Sequence, residues 1–257
     1  MDYKDIFDSV FDGLNNAGLK SVLRNERVPF EYCEKAMKTR KLDWNCKLAI
    51  ALRTDCSDET LVKLCRNMCY KFTEGLLDKY KRRIGRDIPD EAISELLRKK
   101  ENLQPIVQYW HLSDNMKRRI LKRFVVRDGK NEYCMSQHFV NFIKSQLTIP
   151  EDCFETIDVI MKKYVKNQTI TSYCLLNDFV LKLLRTPFDE SIVEEFFNSH
   201  NRPLTTYFQI AANPSISDYV IMRLLTQTPE NFLGEVKEIL DKNEKKREEY
   251  RRTHGNV

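Results

Sequence analysis

Residues 209–217 read Gln-Ile-Ala-Ala-Asn-Pro-Ser-Ile-Ser, and they join two predicted helices. The apolar run at the start of this segment belongs to a helix predicted over residues 205–212. Ser217 suits the start of the next helix, because its hydroxyl can accept a hydrogen bond from a backbone N–H of the first turn. Apolar residues then follow at helical spacing, at Val220, Ile221, Leu224 and Leu225. The segment therefore predicts a helix, a short turn and a second helix.

The second half of this pattern recurs along the chain. An apolar opening residue is followed by Pro, Ser or Asp, then by an acidic or polar pair and by apolar residues at helical spacing. Pro, Ser and Asp favour a helix start, and the acidic residues lie where the helix dipole favours negative charge. The opening residues are Val28, Cys56, Ile88, Leu112, Ile149, Phe188 and Ile216, and the apolar residues eight positions later are Ala36, Leu64, Leu96, Ile120, Ile157, Phe196 and Leu224.

Successive opening residues are 28, 32, 24, 37, 39 and 28 positions apart, which is the length of two helices and their turns. The sequence therefore predicts an all-α fold, a right-handed α-solenoid (superhelix) of about six to seven irregular antiparallel helix pairs. We expect one helical-repeat domain over residues 1–240 and a charged C-terminal helix end and tail over residues 241–257. The N-terminal cap helix is predicted over residues 2–14, with an apolar stripe at Ile6, Phe7, Val10, Phe11 and Leu14. The alternative is a non-repeating helical bundle whose helix starts look alike.

Two copies of the pattern resemble a known repeat family. Residues 209–217, with the apolar residues that follow, and residues 49–59 are similar to helical repeats of the HEAT and leucine-rich-variant type. The resemblance implies a curved solenoid of stacked helix pairs, which in such families binds proteins, nucleic acids or peptides on its concave face. It specifies an architecture and not an activity.

The composition excludes several other classes of protein. Glycine is scarce, with 7 residues in 257, whereas β-sandwiches, β-barrels and nucleotide-binding α/β folds use glycine in turns and phosphate loops. No apolar run approaches the roughly 18 residues of a membrane span, and the polar N-terminus is unlike a secretory signal. The eight cysteines include no C-x-x-C pair, so we expect free thiols in a reducing, cytoplasmic compartment.

Positive charge is concentrated in residues 79–130, which hold fifteen Lys and Arg against seven Asp and Glu, within a net charge of +5 for the whole chain. Stacked repeats bring equivalent positions into rows, so this segment is a candidate surface for nucleic acid or another polyanion. An ordinary solvated helix face, or a face for an acidic protein, is the alternative. The candidate residues are Lys79, Lys81, Arg82, Arg83, Arg86, Arg98, Lys99, Lys100, Arg118, Arg119, Lys122 and Arg123, with Tyr109 and Trp110 as possible stacking partners for bases.

The search for catalytic or metal chemistry returns little. No phosphate-binding loop or H-E-x-x-H motif is present. Cys65 and Cys69 are one helical turn apart, but a second pair at finger spacing is absent, so core packing is the favoured interpretation. Trp110 and Asp114 resemble the aromatic and carboxylate pair of HEAT-like DNA glycosylases. We expect no catalytic residue, metal or cofactor.

These observations favour a non-enzymatic helical-repeat module that binds a macromolecular partner, most simply a protein, on its concave face. The alternative is a nucleic-acid-binding helical-repeat protein that uses residues 79–130, including a HEAT-like DNA glycosylase. We expect no membrane contact and no small-molecule cofactor.

Overall fold

The computed structural model describes residues 3–125, 132–166, 181, 183–187, 190–198 and 202–254, and within these ranges it is helical with no β-strand. The predicted all-α class is therefore confirmed. Short 3₁₀ helices lead into the eighth, eleventh and last α-helices. The α-helices are α1 Tyr3–Gly13, α2 Asn16–Arg24, α3 Phe30–Thr39, α4 Trp44–Ala51, α5 Asp58–Cys65, α6 Tyr70–Ile84, α7 Asp90–Leu96, α8 Leu103–Val107, α9 Asp114–Val125, α10 Glu132–Ser145, α11 Phe154–Lys166, α12 Ser191–Asn198, α13 Leu204–Ala212, α14 Asp218–Gln227 and α15 Leu233–His254.

The chain divides into two compact units, Met1–Tyr109 and Trp110–Val257. Unit 1 contains α1 to α8, and unit 2 contains α9 to α15. Helix α15 continues without a break through residue 240, so the charged C-terminal segment begins inside a helix. A single repeat array over residues 1–240 stays a prediction.

The repeated pattern marks real helix starts. Ser57 and Ser217 cap α5 and α14, because each hydroxyl accepts a hydrogen bond from the amide three residues later, at 3.2 and 3.3 Å. Pro29 and Pro89 directly precede α3 and α7, where a missing N–H removes no hydrogen bond of the helix. Phe188 and Asp189 lie outside the described residues, and α12 begins at Ser191.

The apolar stripe is also present. The residues eight positions after the opening residues all have exposed fractions of 3% or less, namely Ala36, Leu64, Leu96, Ile120, Ile157, Phe196 and Leu224. Burying one such large apolar side chain contributes about 1.5–3 kcal/mol. The stripe predicted for α1 is only partly correct, since Phe11 is buried but Val10 is 59% exposed; the side chains of Ile6 and Phe7 lie outside the description.

Alternate helices of unit 1 pack on one another. Helix α2 packs on α4, α4 on α6 and α6 on α8, while α5 packs on α7. Arg40, at the end of α3, donates hydrogen bonds to the carbonyls of Phe11 and Leu14 at the end of α1, at 2.8 and 2.9 Å. The even-numbered helices therefore form one row. Among the odd-numbered helices, α5 packs on α7, and Arg40 links the end of α3 to the end of α1.

Arg53 ties two helices of the even-numbered row together. Its side chain is fully buried, and its Nε and Nη2 atoms donate to the carboxylate of Asp55 at 2.7 and 2.6 Å. The guanidinium also donates to the carbonyls of Leu23, Asn25 and Val28, at 3.3, 2.7 and 2.8 Å. These acceptors lie at and beyond the C-terminus of α2, where the last carbonyls lack partners in the helix and positive charge is favoured. The turn after α4 is thereby fixed to the end of α2.

The contacts of Arg53 also change the pKa of Asp55. The guanidinium of Arg53 holds the pKa of the Asp55 carboxyl below its usual range, mainly through their hydrogen bonds. Arg53 also lies over the ring of Phe30, 5.5 Å from its centroid. Unit 1 thus supplies all three kinds of partner for the cation, namely the carboxylate, the carbonyls and the aromatic ring.

Asn213 makes the equivalent tie in unit 2. Its Nδ2 atom donates to the carbonyls of Leu183 and Arg185, both at 2.9 Å, and its Oδ1 atom accepts from the Ser215 amide at 2.9 Å. The register matches that of Arg53. Arg53 and Asn213 each lie three residues before an opening residue of the repeated pattern. Each donates to two carbonyls that lie five and three residues before the preceding opening residue.

The core of unit 2 is largely aliphatic and includes a cluster of aromatic rings. Helix α9 packs on α10 and α11, and α13 packs on α14 and α15. The rings of Phe196, Phe197 and Tyr207 meet with centroid separations of 4.9 to 6.1 Å. Gln209 donates to the carbonyls of Lys144 and Gln146, at 3.2 and 2.9 Å, and so fixes α13 to the end of α10.

We expect Leu224→Ala to lower the free energy of unfolding by about 2–5 kcal/mol, because it leaves a cavity in the apolar stripe. Met222→Ala is the matched control, since Met222 lies on the same helix and is 64% exposed; its effect should stay within about 0.5 kcal/mol. Urea unfolding followed by circular dichroism measures both. Equal losses in the two variants would contradict the assignment of the stripe.

We expect Arg53→Met to lower the free energy of unfolding by about 3 kcal/mol, because it leaves buried carbonyls without their donor. Arg82→Met is the control. Arg82 pairs with Asp78 on an exposed helix face, where such a pair contributes about 0.3–0.5 kcal/mol. The same urea titration compares them, and an Arg53→Met protein as stable as the control would show that the tie is not stabilising.

Candidate functional site: a groove on helices α2, α4 and α6

The row of even-numbered helices in unit 1 carries an open groove of about 760 Å³. Three helices of this row, α2, α4 and α6, contribute to its walls. Its lining residues are Lys20 and Arg24 of α2, Trp44, Asn45, Leu48, Ala49 and Leu52 of α4 and the turn that follows, and Lys71, Glu74, Gly75, Asp78 and Lys79 of α6. We call this surface the Trp44 groove.

The local sequence explains how Trp44 reaches the groove. Asp43 caps α4, because its carboxylate accepts a hydrogen bond from the Cys46 amide at 2.8 Å. This cap makes Trp44 the first residue of the helix, and its side chain is half-buried. Leu48 follows one helical turn later. An amphipathic aromatic side chain that is neither fully packed nor fully exposed is typical of contact surfaces.

Gly75 lets α6 approach α4 closely. A Cβ atom at this position would lie 2.8 Å from the Cδ2 atom of Leu48, closer than van der Waals contact allows. The floor of the groove is therefore formed by close helix packing and contains apolar surface from Leu48.

The rim of the groove carries charges of both signs. Within the described ranges, no carboxylate lies within ion-pair distance of its four cations, which are Lys20, Arg24, Lys71 and Lys79. The two acidic residues do have partners. Asp78 pairs with Arg82 at 2.9 Å, and Glu74 accepts a hydrogen bond from the Tyr70 hydroxyl at 3.3 Å. The groove thus offers four available cations around an aromatic and aliphatic floor.

The candidate residues of the predicted basic surface are divided between the two units. Residues 79–109 belong to unit 1 and residues 110–123 to unit 2, and Lys130 lies outside the described residues. Lys99 is half-buried, whereas the side chains of Lys79, Lys100, Arg119, Lys122 and Arg123 are exposed.

Six of the candidate cations bind carboxylates of this chain, with N–O distances between 2.6 and 3.3 Å. Three of these pairs join residues that are far apart in sequence, namely Arg83 with Glu26, Arg86 with Asp58 and Arg118 with Asp152. Such pairs reduce the charge that is available to a phosphate backbone. The six are Lys81 with Asp87, Arg82 with Asp78, Arg83 with Glu26, Arg86 with Asp58, Arg98 with Glu95 and Arg118 with Asp152.

The aromatic candidates have structural contacts. Tyr109 is only 5% exposed, and burial raises the pKa of its hydroxyl. Trp110 stacks on Phe208, with ring centroids 5.3 Å apart. Asp114, the carboxylate that resembles a glycosylase residue, accepts a hydrogen bond from the largely buried Lys117 at 3.0 Å. Tyr109 therefore presents no free ring face to a base, and Trp110 presents at most one.

The cysteines pack as small apolar residues, as expected. The six described ones are free, and all but Cys69 are buried. Burial raises the pKa of Cys33 to about 11 and that of Cys56 to about 12, so these thiols stay protonated near neutral pH. Among the described residues, no group of three or more His, Cys, Asp or Glu side chains is placed to hold a metal ion. The helices that the structure describes include none with the length and apolar character of a membrane span.

Comparisons with protein-family models, with curated proteins and with solved structures find no match to this chain.

Sequence reasoning did not find the Trp44 groove. Trp44 lies in a segment without a charge cluster, and the four rim cations are separated by up to 59 residues. A weak signal exists in the spacing, because Lys20 and Arg24, and Lys71, Gly75 and Lys79, lie four residues apart and so share a helix face.

Proposed function

We propose that the chain is a non-enzymatic helical-repeat module, a right-handed α-solenoid of stacked helix pairs, that binds a protein partner in the Trp44 groove. The observation that carries the proposal is the groove itself, which spans α2, α4 and α6 and combines a half-buried Trp44 with four cations free of internal ion pairs. Aromatic and basic anchors around a recessed floor are the features that dominate protein interfaces. The free cysteine thiols fit the cytoplasmic location that we propose with it.

The repeat register supports the solenoid part of this proposal. Arg53 and Asn213 occupy the same position in their helix pairs and donate to carbonyls at the same positions of the preceding pair. Stacked repeats in which each pair contacts its neighbours present extended binding faces.

Charge on the groove favours a protein partner over a nucleic acid. The rim includes Glu74 and Asp78 beside the four cations, and carboxylates repel a phosphate backbone. A protein surface, by contrast, can present groups of both signs. The internal ion pairs of six cations in residues 79–130 point the same way.

We expect a photo-reactive residue at position 45, inside the Trp44 groove, to form one discrete protein adduct in cells that express the chain. The matched control is position 91 of α7, which is exposed and does not line the groove. Mass spectrometry of the adduct identifies the partner. We then expect Trp44→Ala to weaken the affinity of the purified chain for that partner at least tenfold, by about 1.4 kcal/mol or more, because the variant removes the aromatic anchor.

Equal adduct yields at positions 45 and 91 would contradict the proposal, since they would reflect random encounters. An unchanged affinity of the Trp44→Ala variant would do so as well. Circular dichroism of each variant checks that its helices are retained.

Binding to oligonucleotides distinguishes this proposal from the nucleic-acid alternative. At about 150 mM salt, we expect random single-stranded and duplex oligonucleotides to bind no more tightly than the roughly micromolar range of sequence-independent contacts. Arg118→Glu with Arg119→Glu lowers the net charge of the chain by four, so it should only weaken this sequence-independent binding further. Fluorescence anisotropy with a salt titration measures both quantities. Tight binding, with a salt dependence that falls in the double variant, would establish the nucleic-acid function instead.

A further inference from the structure

A second groove of about 510 Å³ lies between α3 and α5, on the odd-numbered helices of unit 1. No residue is shared with the Trp44 groove. Its lining residues include Met37 and Lys38 of α3, Lys41 and Leu42 of the turn that follows, Lys47 of α4, and Lys63 and Leu64 of α5. We call it the Lys38 groove.

The Lys38 groove is strongly basic. Five of its ten lining residues are Lys or Arg, and Glu34 is the single acidic one. Within the part of the chain that the structure describes, Lys38, Lys41 and Lys47 have no carboxylate within ion-pair distance. The groove therefore carries three lysines whose charge no carboxylate of the described chain neutralises.

The other two cations differ in availability. Arg40 is committed to the carbonyls at the end of α1 and so acts as a fixed part of the wall. Lys63 pairs with Glu59 at 2.7 Å, but both side chains are more than half exposed. Such an exposed pair contributes little to stability, so an incoming carboxylate can replace Glu59.

The remaining surface of the groove is aliphatic. Leu42 and Leu64 are largely buried, Met37 is half-buried, and none of the lining residues is aromatic. Methionine and leucine surfaces accept apolar side chains, and methionine adapts its shape to them. Single-stranded nucleic acids are instead bound by stacking on aromatic rings.

We propose that the Lys38 groove binds an acidic peptide segment, whose carboxylates contact Lys38, Lys41, Lys47 and Lys63 and whose apolar side chain packs on Met37, Leu42 and Leu64. The charge of the rim selects the acidic residues, and the aliphatic floor selects a peptide over a nucleic acid. This site is independent of the partner proposed for the Trp44 groove.

The test uses the full chain and a fluorescein-labelled peptide of about twelve residues, with glutamates flanking a central Leu-Leu pair. We expect micromolar binding at low salt by fluorescence anisotropy, weaker as salt is added because the contacts are ionic. A peptide with glutamine in place of every glutamate should bind at least about tenfold more weakly. Lys38→Glu with Lys41→Glu should reduce affinity for the acidic peptide to a similar degree.

The matched control is Lys20→Glu with Lys71→Glu, which lowers the net charge by the same amount on the Trp44 groove and should weaken binding clearly less than Lys38→Glu with Lys41→Glu does. These four side chains are on the surface, and circular dichroism confirms that each variant is folded. Failure of the acidic peptide to bind overturns the proposal, as does an equal loss in the two double variants, which would indicate unspecific attraction. A single-stranded DNA of matched length that binds as tightly as the peptide, and is lost in the Lys38→Glu, Lys41→Glu variant, overturns it in favour of a nucleic-acid site.

Discussion

The carbonyls at the end of each helix have no partner inside that helix, and this constraint explains much of the structure. Many proteins satisfy them with a left-handed glycine, but glycine is scarce here, and among the described glycines only Gly85, at the end of α6, has a positive φ. Arg40, Arg53 and Asn213 satisfy such carbonyls from another helix pair. Capping the end of one helix therefore also fixes the position of its neighbour, so that local and long-range order depend on the same side chains.

The two grooves that we propose as binding surfaces follow from this arrangement. Alternate helices of unit 1 lie side by side, the even-numbered row carries the Trp44 groove, and the Lys38 groove lies between α3 and α5. Internal ion pairs use many of the cations elsewhere, as Arg83 and Arg86 show by binding Glu26 and Asp58. The grooves retain lysines that the described chain does not pair. A segment of this chain that is rich in Lys and Arg therefore need not offer many unpaired positive charges.

The sequence predicted what depends on neighbouring residues. Ser57 and Ser217 are helix caps, and the stripe through Ile120 and Leu224 is buried, because both features follow from helical periodicity. It did not predict contacts between residues far apart in the chain. Nothing in its local sequence distinguishes the buried Arg53 from a solvated arginine, and the burial of Tyr109 depends on packing that spacing does not reveal. The Trp44 groove was missed for the same reason, since three separate helices form it.

Hydrogen exchange of backbone amides in the Arg53→Met variant tests most directly whether side chains from one helix pair hold the next in place. We predict that exchange is accelerated at least about tenfold more for the amides of residues 19–30 than for those of α8, because the end of α2 loses its donor in addition to the loss of global stability. Acceleration confined to the turn at residues 53–55, or spread evenly over all helices, would contradict it. The first result would mean that Arg53 stabilises only its own turn, and the second that it contributes only to global stability.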